Sequence, residues 1–216
     1  MNIKENENIK IKVASPENAA ELLEIYKFYV ENTAISFEIE TPTLQEFRAR
    51  IEKTLKKYPY LIAVSPEDEI LGYAYASELK SRAAYDWSIE TSIYVKKECR
   101  KMGIGGILLK NLEFLLKKQN ILNCYACIAY TEREDEFLTK ASGKFHEKMN
   151  YRMVGIFKDC GYKFDRWYSM VWMEKHLGEH KSSQKKTIPF SALLEQLKLT
   201  NDSFEKWIDT TLSNER

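Results

Sequence analysis

The sequence predicts a mixed α/β (α+β) domain, in which a largely antiparallel sheet is flanked by helices and followed by a C-terminal helical extension. Segments of strand and helix periodicity follow one another in the order β-α-α-β-β-β-α-β-α-β-β. A glycine-rich turn at residues 100–106 joins a strand pattern to a helix pattern. The composition changes near Gly178, which indicates a domain at residues 1–178 and a linker with amphipathic helices at residues 179–216.

The first elements are identified by capping and turn signals. Residues 9–13 form a strand pattern, and Ser15-Pro16 then supplies an N-cap and a first-turn proline for a helix. Thr43 and Glu46 form a capping box that opens a second helix, which ends near residue 58. Residues 60–64 and 70–77 flank a polar turn and therefore predict an antiparallel hairpin.

The later elements are identified by periodicity and by buried apolar runs. Residues 86–95 alternate as a strand, and residues 104–120 follow the glycine turn as a long helix. An apolar strand at 123–130 and a short helix at 140–149 come next. Two final strands, 151–157 and 167–174, are expected around a loop that contains Gly161. Apolar residues after position 186 predict one or two helices that pack on the domain or on a second subunit.

The glycine-rich turn predicts an anion site. The first N–H groups of a helix have no internal partner, and the helix dipole adds partial positive charge there. Gly103 and Gly105 let the backbone approach a phosphate closely, and Arg100 adds a fixed positive charge. The spacing Arg-x-x-Gly-x-Gly differs from the dinucleotide fingerprint and lacks the end of a P-loop. The turn is therefore expected to hold a pyrophosphate, and the alternative is a surface turn with two helix-capping glycines.

Composition excludes several classes of partner. The net charge is +1 and no basic stripe is interleaved with aromatic residues, so nucleic acid is not an expected partner. The sequence has no long apolar run and starts with polar residues, so neither a membrane span nor a secretory signal is expected and the protein is assigned to the cytoplasm. The four cysteines are expected to be free thiols, and no metal site is predicted, because no second Cys or His pair accompanies Cys124 and Cys127.

Four segments resemble one known family over about residues 9–175. They are Thr-Ala-Ile-Ser-Phe-Glu at 33–38, Arg-Ala-Ala-Tyr with Glu-Thr-Ser-Ile-Tyr-Val within 82–95, the glycine turn, and Ser-Gly-Lys-Phe-His-Glu with Gly-Tyr-Lys-Phe-Asp-Arg-Trp within 142–167. Together they resemble the phosphinothricin N-acetyltransferase-like branch of the GCN5-related N-acetyltransferase (GNAT) superfamily, which implies the GNAT fold. The chain departs from that pattern at Thr139, where relatives often carry Asn, and at Asn150, where they carry Gly.

The resemblance implies acetyl-CoA as cosubstrate and a small amino-acid-like amine as acceptor, of the phosphinothricin, methionine sulfone or methionine sulfoximine type. It also implies a homodimer. The residues expected to contact acetyl-CoA are Ile93, Tyr94, Val95, Arg100, Lys101, Met102, Gly103, Ile104, Gly105, Gly106 and Ser142. The residues expected around the acceptor are Phe37, Glu38, Arg82, Tyr85, Tyr162 and Trp167.

Two residues are candidates for catalysis. Only a free amine attacks a thioester, so a base must take a proton, and Glu90 lies in an apolar strand segment that would raise its pKa. The alternative is a glutamate on the solvent face of that strand. His146 could protonate the leaving thiolate or assist the base, or it could be a surface histidine. Backbone N–H groups near Tyr94 and Val95 are the expected donors to the oxyanion.

Two other functions stay open at the level of sequence. A protein or peptide acetyltransferase of the same fold would need an open acceptor groove. A non-enzymatic CoA-binding module would use the C-terminal helices as its working part, and the presence of Glu90 and His146 argues against it.

Overall fold

The computed structural model describes residues 9–214, without the side chains of 201, 202, 209 and 211–214. Within that range a single seven-stranded sheet carries the fold. Its strands are β1 (Lys10–Val13), β2 (Tyr60–Val64), β3 (Ile70–Glu78), β4 (Ser88–Val95), β5 (Asn123–Tyr130), β6 (Arg152–Lys163) and β7 (Arg166–His176). The order across the sheet is β1-β2-β3-β4-β5-β7-β6, and every neighbouring pair is antiparallel except β4–β5. The prediction of a mixed, largely antiparallel sheet is confirmed.

Helices cover both faces of this sheet. They are α1 (Ala19–Asn32), α2 (Leu44–Lys57), α3 (Ile104–Lys118), α4 (Ala141–Lys148), α5 (Phe190–Gln196) and α6 (Asn201–Asn214). The capping box that opens α2 forms as predicted, because the Glu46 carboxylate accepts from the Thr43 N–H at 2.8 Å and the Glu46 N–H donates to Thr43 Oγ1 at 3.3 Å. Pro16 starts a short 3₁₀ turn, Pro16–Asn18, that leads into α1.

The two faces of the sheet bury different cores. Helix α3 lies on one face, where Leu108, Leu112 and Leu115 pack with Ile89 of β4 in the larger cluster. Helices α1 and α2 lie on the other face, over a cluster that includes the buried ring of Tyr73. Side chains alternate between the faces of a strand, so the neighbours of Ile89 along β4 point toward the α1–α2 side.

The final hairpin differs from the prediction. Strand β6 continues through Gly161 to Lys163, so the expected loop around Gly161 is wrong. The turn is the two-residue Phe164-Asp165, with φ of 53° and 56°, which is the left-handed geometry of a tight hairpin turn. The β6–β7 register shifts between Phe157 and Gly161. A bulge of this kind breaks the alternation by which a strand is recognised in a sequence.

The C-terminal extension packs on the domain. Phe190 and Leu193 of α5 and Phe204 and Ile208 of α6 are buried, and they belong to the same cluster as the apolar face of α3. Of the two packing alternatives left open by the sequence, the structure has the one within the same chain. The boundary near residue 178 stays a prediction, and the core is continuous across it.

Candidate active site

The sheet opens where its two parallel strands separate. β4 and β5 pair at Ser88↔Asn123, Ile89↔Cys124 and Glu90↔Tyr125. Both strands then continue, to Val95 and Tyr130, without further pairing to each other. Backbone groups along this wedge, which we call the β4–β5 gap, have no ladder partner across it. Because backbone N–H and C=O groups seek hydrogen bonds, the gap is suited to an extended ligand that supplies them.

The gap brings together residues from three of the predicted segments. A small cavity of about 60 Å³ is lined by eleven residues, among them Ile93 and Tyr94 of β4, Cys127 of β5, and Ser142 and His146 of α4. Four of the eleven, Ile93, Tyr94, Ser142 and His146, were predicted from the sequence as site residues. Cys127 was not predicted; it is a free thiol whose pKa burial raises to about 12, so it is neutral at physiological pH and a poor nucleophile.

The glycine-rich turn lies at the N-terminus of α3, near the C-terminal end of β4. Gly103 has φ 85° and ψ −10°, the left-handed conformation that glycine adopts without penalty. The N–H groups of Gly106 and Ile107 close onto the Gly103 carbonyl at 2.9 and 3.1 Å. The N–H groups of Ile104 and Gly105 precede the intrahelical ladder and are available to an anion. The turn therefore has the donors that a pyrophosphate needs.

Cationic side chains extend this anion site. The Arg100 guanidinium lies 5.0 Å from the Phe28 ring and 4.8 Å from the Tyr29 ring, so two aromatic faces of α1 hold it beside the turn. Lys101 has φ 62°, which continues the left-handed bend of the turn. Met102 packs against the larger core and so holds the turn to the domain. Arg100, Lys101 and the α3 N-terminus together give a local positive field in a chain of nearly zero net charge.

The register of β4 determines which of its backbone groups face the gap. The Lys96 N–H donates to β3, so by alternation Tyr94 also faces β3 whereas Ile93 and Val95 face the gap. The Val95 N–H and C=O are already bonded to the Tyr29 hydroxyl, at 3.3 and 2.6 Å. This geometry favours the N–H of Ile93, rather than those of Tyr94 and Val95, as a donor toward a ligand in the gap.

Glu90 lies at the point where the two strands separate. Its side chain is half-buried, and that burial raises the pKa of Glu90 above its ordinary value of 4.5, while the positive charge of Lys80 opposes part of the rise. Ser77 of β3 lies directly across from it in the register. A partly desolvated carboxylate is better suited to accepting a proton near neutral pH than one on a solvent-facing strand.

His146 is buried, with 6% of its surface exposed, which is unlike a surface histidine. Its Nδ1 lies 2.9 Å from the Ser142 carbonyl oxygen. A carbonyl oxygen only accepts, so Nδ1 carries the hydrogen and Nε2 keeps a lone pair. Burial lowers the pKa of His146 below 6.5. A neutral imidazole with a free Nε2 can accept a proton or orient a water, so this geometry favours assistance to a base over protonation of a leaving thiolate.

One wall of the expected acceptor region is formed by the connector after α1 and by β6. The Phe37 ring lies on the backbone of Gly161, where an added Cβ would overlap it. The Lys163 ammonium is buried and donates to the carbonyls of Val30 and Ser36, at 2.6 and 2.8 Å. Lys163 thus fastens β6 to the connector that carries Phe37. No role for Lys163 was predicted from the sequence, although this residue stands in one of the segments that carry the family resemblance.

The other predicted acceptor residues lie nearer to solvent. The Glu38 carboxylate accepts from Arg50 of α2 at 2.7 Å. The rings of Tyr162 and Trp167 contact each other across the last hairpin, with centroids 5.1 Å apart, and both are more than half exposed. Arg82 and Tyr85 are exposed in the β3–β4 connection, one before and one at the end of the 3₁₀ turn Ala83–Tyr85. Their roles stay predictions.

Residues 9–214 contain neither a metal-type cluster of side chains nor a helix that could span a membrane. No group of three or more His, Cys, Asp or Glu residues there could hold a metal ion. None of the helices in the same range is long and apolar enough to span a bilayer.

Comparison with known proteins shows where this fold and site occur. A model of the acetyltransferase (GNAT) domain matches residues 11–172. Phosphinothricin N-acetyltransferase of Streptomyces coelicolor is 30% identical over 172 residues, which are 78% of this chain and 96% of that protein. The L-methionine sulfoximine/L-methionine sulfone acetyltransferase of Pseudomonas aeruginosa is 26% identical, over 75% of this chain and 91% of its own length.

Solved structures agree with the sequence comparison. The crystal structure of a GNAT superfamily phosphinothricin acetyltransferase from Sinorhizobium meliloti in complex with AcCoA superposes with a TM-score of 0.76 and 26% identity. The match covers 86% of this chain and 98% of that one. Because the family model spans most of the described residues, the chain belongs to the GNAT family and is an acetyl-CoA-dependent N-acetyltransferase.

Proposed function

We propose that this enzyme acetylates the primary amine of a small amino-acid-like acceptor. The observation that carries the proposal is the half-buried Glu90 carboxylate at the point where β4 and β5 separate. Burial raises the pKa of this carboxylate, which suits a general base. The relatives that support the acceptor class are the phosphinothricin and methionine sulfoximine/sulfone acetyltransferases.

The residues of the gap divide the reaction among them. Acetyl-CoA, when bound, supplies the activated acetyl group. The N-terminus of α3 and Arg100 would hold its pyrophosphate, and the β4 edge would hold its pantetheine arm. Glu90 takes the proton from the acceptor ammonium, directly or through a water, so that a neutral amine attacks the thioester. The C–S bond then breaks, and the CoA thiolate that leaves takes up the proton that the nitrogen loses as the amide forms. The Ile93 N–H is aimed into the gap, where negative charge develops on the acetyl oxygen. His146 Nε2 orients the water or relays the proton.

Thiol release from acetyl-CoA by the purified protein tests this function. The acceptors are phosphinothricin, methionine sulfone, methionine sulfoximine, a polyamine and a short peptide with a free N-terminus. We expect turnover with amino-acid-like amines and a much lower kcat/KM with the peptide. Preference for the peptide would point to a peptide acetyltransferase. Binding of acetyl-CoA without turnover of any amine would point to a CoA-binding module.

We also propose that the enzyme is a homodimer in the cytoplasm. The free thiols of Cys99, Cys124, Cys127 and Cys160 fit a reducing compartment. Strand β6 is a sheet edge of 12 residues whose apolar side chains are exposed, Met153 to 51%, Val154 to 55% and Phe157 to 55%. A long apolar edge strand is a template for pairing, and a second copy that covers it removes that liability.

Substitution of Phe157 by Glu is expected to convert the dimer to a monomer, because a carboxylate would have to be desolvated at the interface. Light scattering coupled to size-exclusion chromatography measures the mass directly. The matched control is Lys158→Glu on the same strand, at an exposed position outside the apolar patch, which should leave a dimer. A dimer that persists in Phe157→Glu, or an unaltered protein that is already monomeric, would rule out this edge as the interface.

A further inference from the structure

A second, larger cavity lies on the α1–α2 face of the sheet. It has a volume of about 350 Å³, and it opens between α2 and strands β2 and β3. Three stacked tyrosines form one wall: the Tyr60 and Tyr75 rings are 4.8 Å apart and 11° from parallel, and the Tyr60 and Tyr73 rings are 5.6 Å apart and 22° from parallel. We call this cavity the tyrosine pocket. Its volume falls in the range of small-ligand sites, and its aromatic lining suits an aromatic group.

The rim of the tyrosine pocket is basic. Arg50, Lys53, Lys56 and Lys57 of α2 line it, against one carboxylate, that of Glu78. Lys57 is 3.4 Å from Glu78, and Arg50 is held by Glu38 from outside the lining. The lining thus has more cationic side chains than carboxylates, so a ligand with a negative end is favoured over one with a positive end.

The tyrosine pocket begins beside the candidate base. Ser77, which lines the pocket, is the register partner of Glu90 on β4. Directly opposed residues of an antiparallel pair point to the same face, with Cβ atoms about 4.5–5.5 Å apart. Burial raises the pKa of Tyr75, two residues earlier on that face, and the nearby charge of Glu90 adds to the rise. An amine at Glu90 would therefore have its side chain at the mouth of the tyrosine pocket.

We propose that the tyrosine pocket binds the side chain of the acceptor, and that the preferred acceptor is an amino acid whose aromatic side chain ends in an acidic group. The inference rests on the acetyl-transfer function proposed above and specifies its substrate. An aryl ring packs against the tyrosine wall, and the acid reaches the lysines of the rim. A short acceptor such as phosphinothricin leaves most of the pocket unfilled.

The C-terminal extension supports the outer wall of the pocket. Ser191 Oγ of α5 donates to the Lys56 carbonyl at 3.1 Å. Gln119 Nε2 donates to the carbonyls of Lys57 and Ile188, at 2.9 and 2.6 Å, and so ties the end of α2 to the segment before α5. The family model ends at residue 172, before this support begins. The shape of the pocket thus depends on a part of the chain that lies outside the matched domain.

A pocket-filling variant tests the proposal. Thr54 of α2 is half-buried and lines the pocket, so Thr54→Trp would occupy it. The matched control is Ala49→Trp, at an exposed position of the same helix that does not line the pocket. The acceptors are 4-carboxyphenylalanine, phenylalanine and phosphinothricin. The unaltered enzyme should prefer 4-carboxyphenylalanine. Thr54→Trp should lower the kcat/KM for 4-carboxyphenylalanine about 10- to 100-fold, the value of one buried aromatic side chain, and the kcat/KM for phosphinothricin much less.

A charge variant keeps the test valid if the tryptophan disturbs folding. Lys53→Glu reverses one exposed rim charge and should lower the kcat/KM for 4-carboxyphenylalanine relative to phenylalanine. If Thr54→Trp and Ala49→Trp turn over 4-carboxyphenylalanine with equal kcat/KM, the role of the tyrosine pocket is overturned and the acetyltransferase function stands. No turnover of any amine would overturn the function instead. Calorimetry then measures the binding of 4-carboxyphenylalanine directly. Loss of binding in Thr54→Trp but not in Ala49→Trp would support the role of the pocket, and equal binding in both variants would overturn it.

Discussion

Replacement of Glu90 by glutamine is expected to lower kcat about 10²- to 10⁴-fold, the usual contribution of a positioned general base. The amide has nearly the same shape as the carboxylate but cannot take the proton from the acceptor ammonium. The Kd for acetyl-CoA should not change, because the cosubstrate is expected on the α3 N-terminus and the β4 edge. Steady-state thiol release and calorimetric titration of acetyl-CoA measure the two quantities separately.

The pH profile gives the same prediction a second readout. Burial raises the pKa of Glu90, so its basic form is lost as the pH falls through a value above the ordinary 4.5. The kcat/KM of the unaltered enzyme should therefore fall on the acid side in that range, and Glu90→Gln should lack this limb. Glu52→Gln, an exposed change on α2, is the control and should behave as the unaltered enzyme does. Full turnover by Glu90→Gln would exclude Glu90 as the base.

Replacement of Phe190 by alanine is expected to lower the free energy of unfolding by about 3–5 kcal/mol. Phe190 is fully buried in the larger core, where α5 meets the domain. Its loss would leave a cavity that the surrounding helices can fill only in part. Urea denaturation followed by circular dichroism measures the change.

Leu197→Ala is the matched control for Phe190, since Leu197 follows α5 and is 38% exposed, and it should have a much smaller effect. A loss below about 1 kcal/mol in Phe190→Ala would contradict a core that continues into the extension. If Phe190→Ala loses the expected free energy of unfolding but keeps the acceptor preference of the unaltered enzyme, then α5 stabilises the domain without determining the shape of the tyrosine pocket.

Local signals in the sequence were sufficient for much of the fold. The Thr43 capping box and the β2–β3 hairpin depend on neighbouring residues, so they could be predicted without tertiary information. The end of β6 could not. Asp159 has φ 46° beside the register shift, and the Phe164-Asp165 turn lacks the glycine that usually marks such a turn. Only the pairing with β7 shows that one strand runs through this region.

The candidate site divides in the same way. Sequence motifs pointed to Glu90, His146 and the glycine-rich turn, because their spacing is local. The proton on His146 Nδ1 could not be predicted, since it depends on the Ser142 carbonyl in the folded helix. The bond between Tyr29 and Val95 joins residues 66 positions apart. In the sequence Tyr29 is only one member of the apolar stripe of α1.

The most direct test of the account is a crystal structure of the enzyme with acetyl-CoA. The pantetheine arm should lie in the β4–β5 gap, with the thioester oxygen at hydrogen-bond distance from the Ile93 N–H and the pyrophosphate on the N–H groups of Ile104 and Gly105. The acetyl carbon should face Glu90. Acetyl-CoA bound outside the gap, or a thioester pointing away from Glu90, would contradict the proposed site.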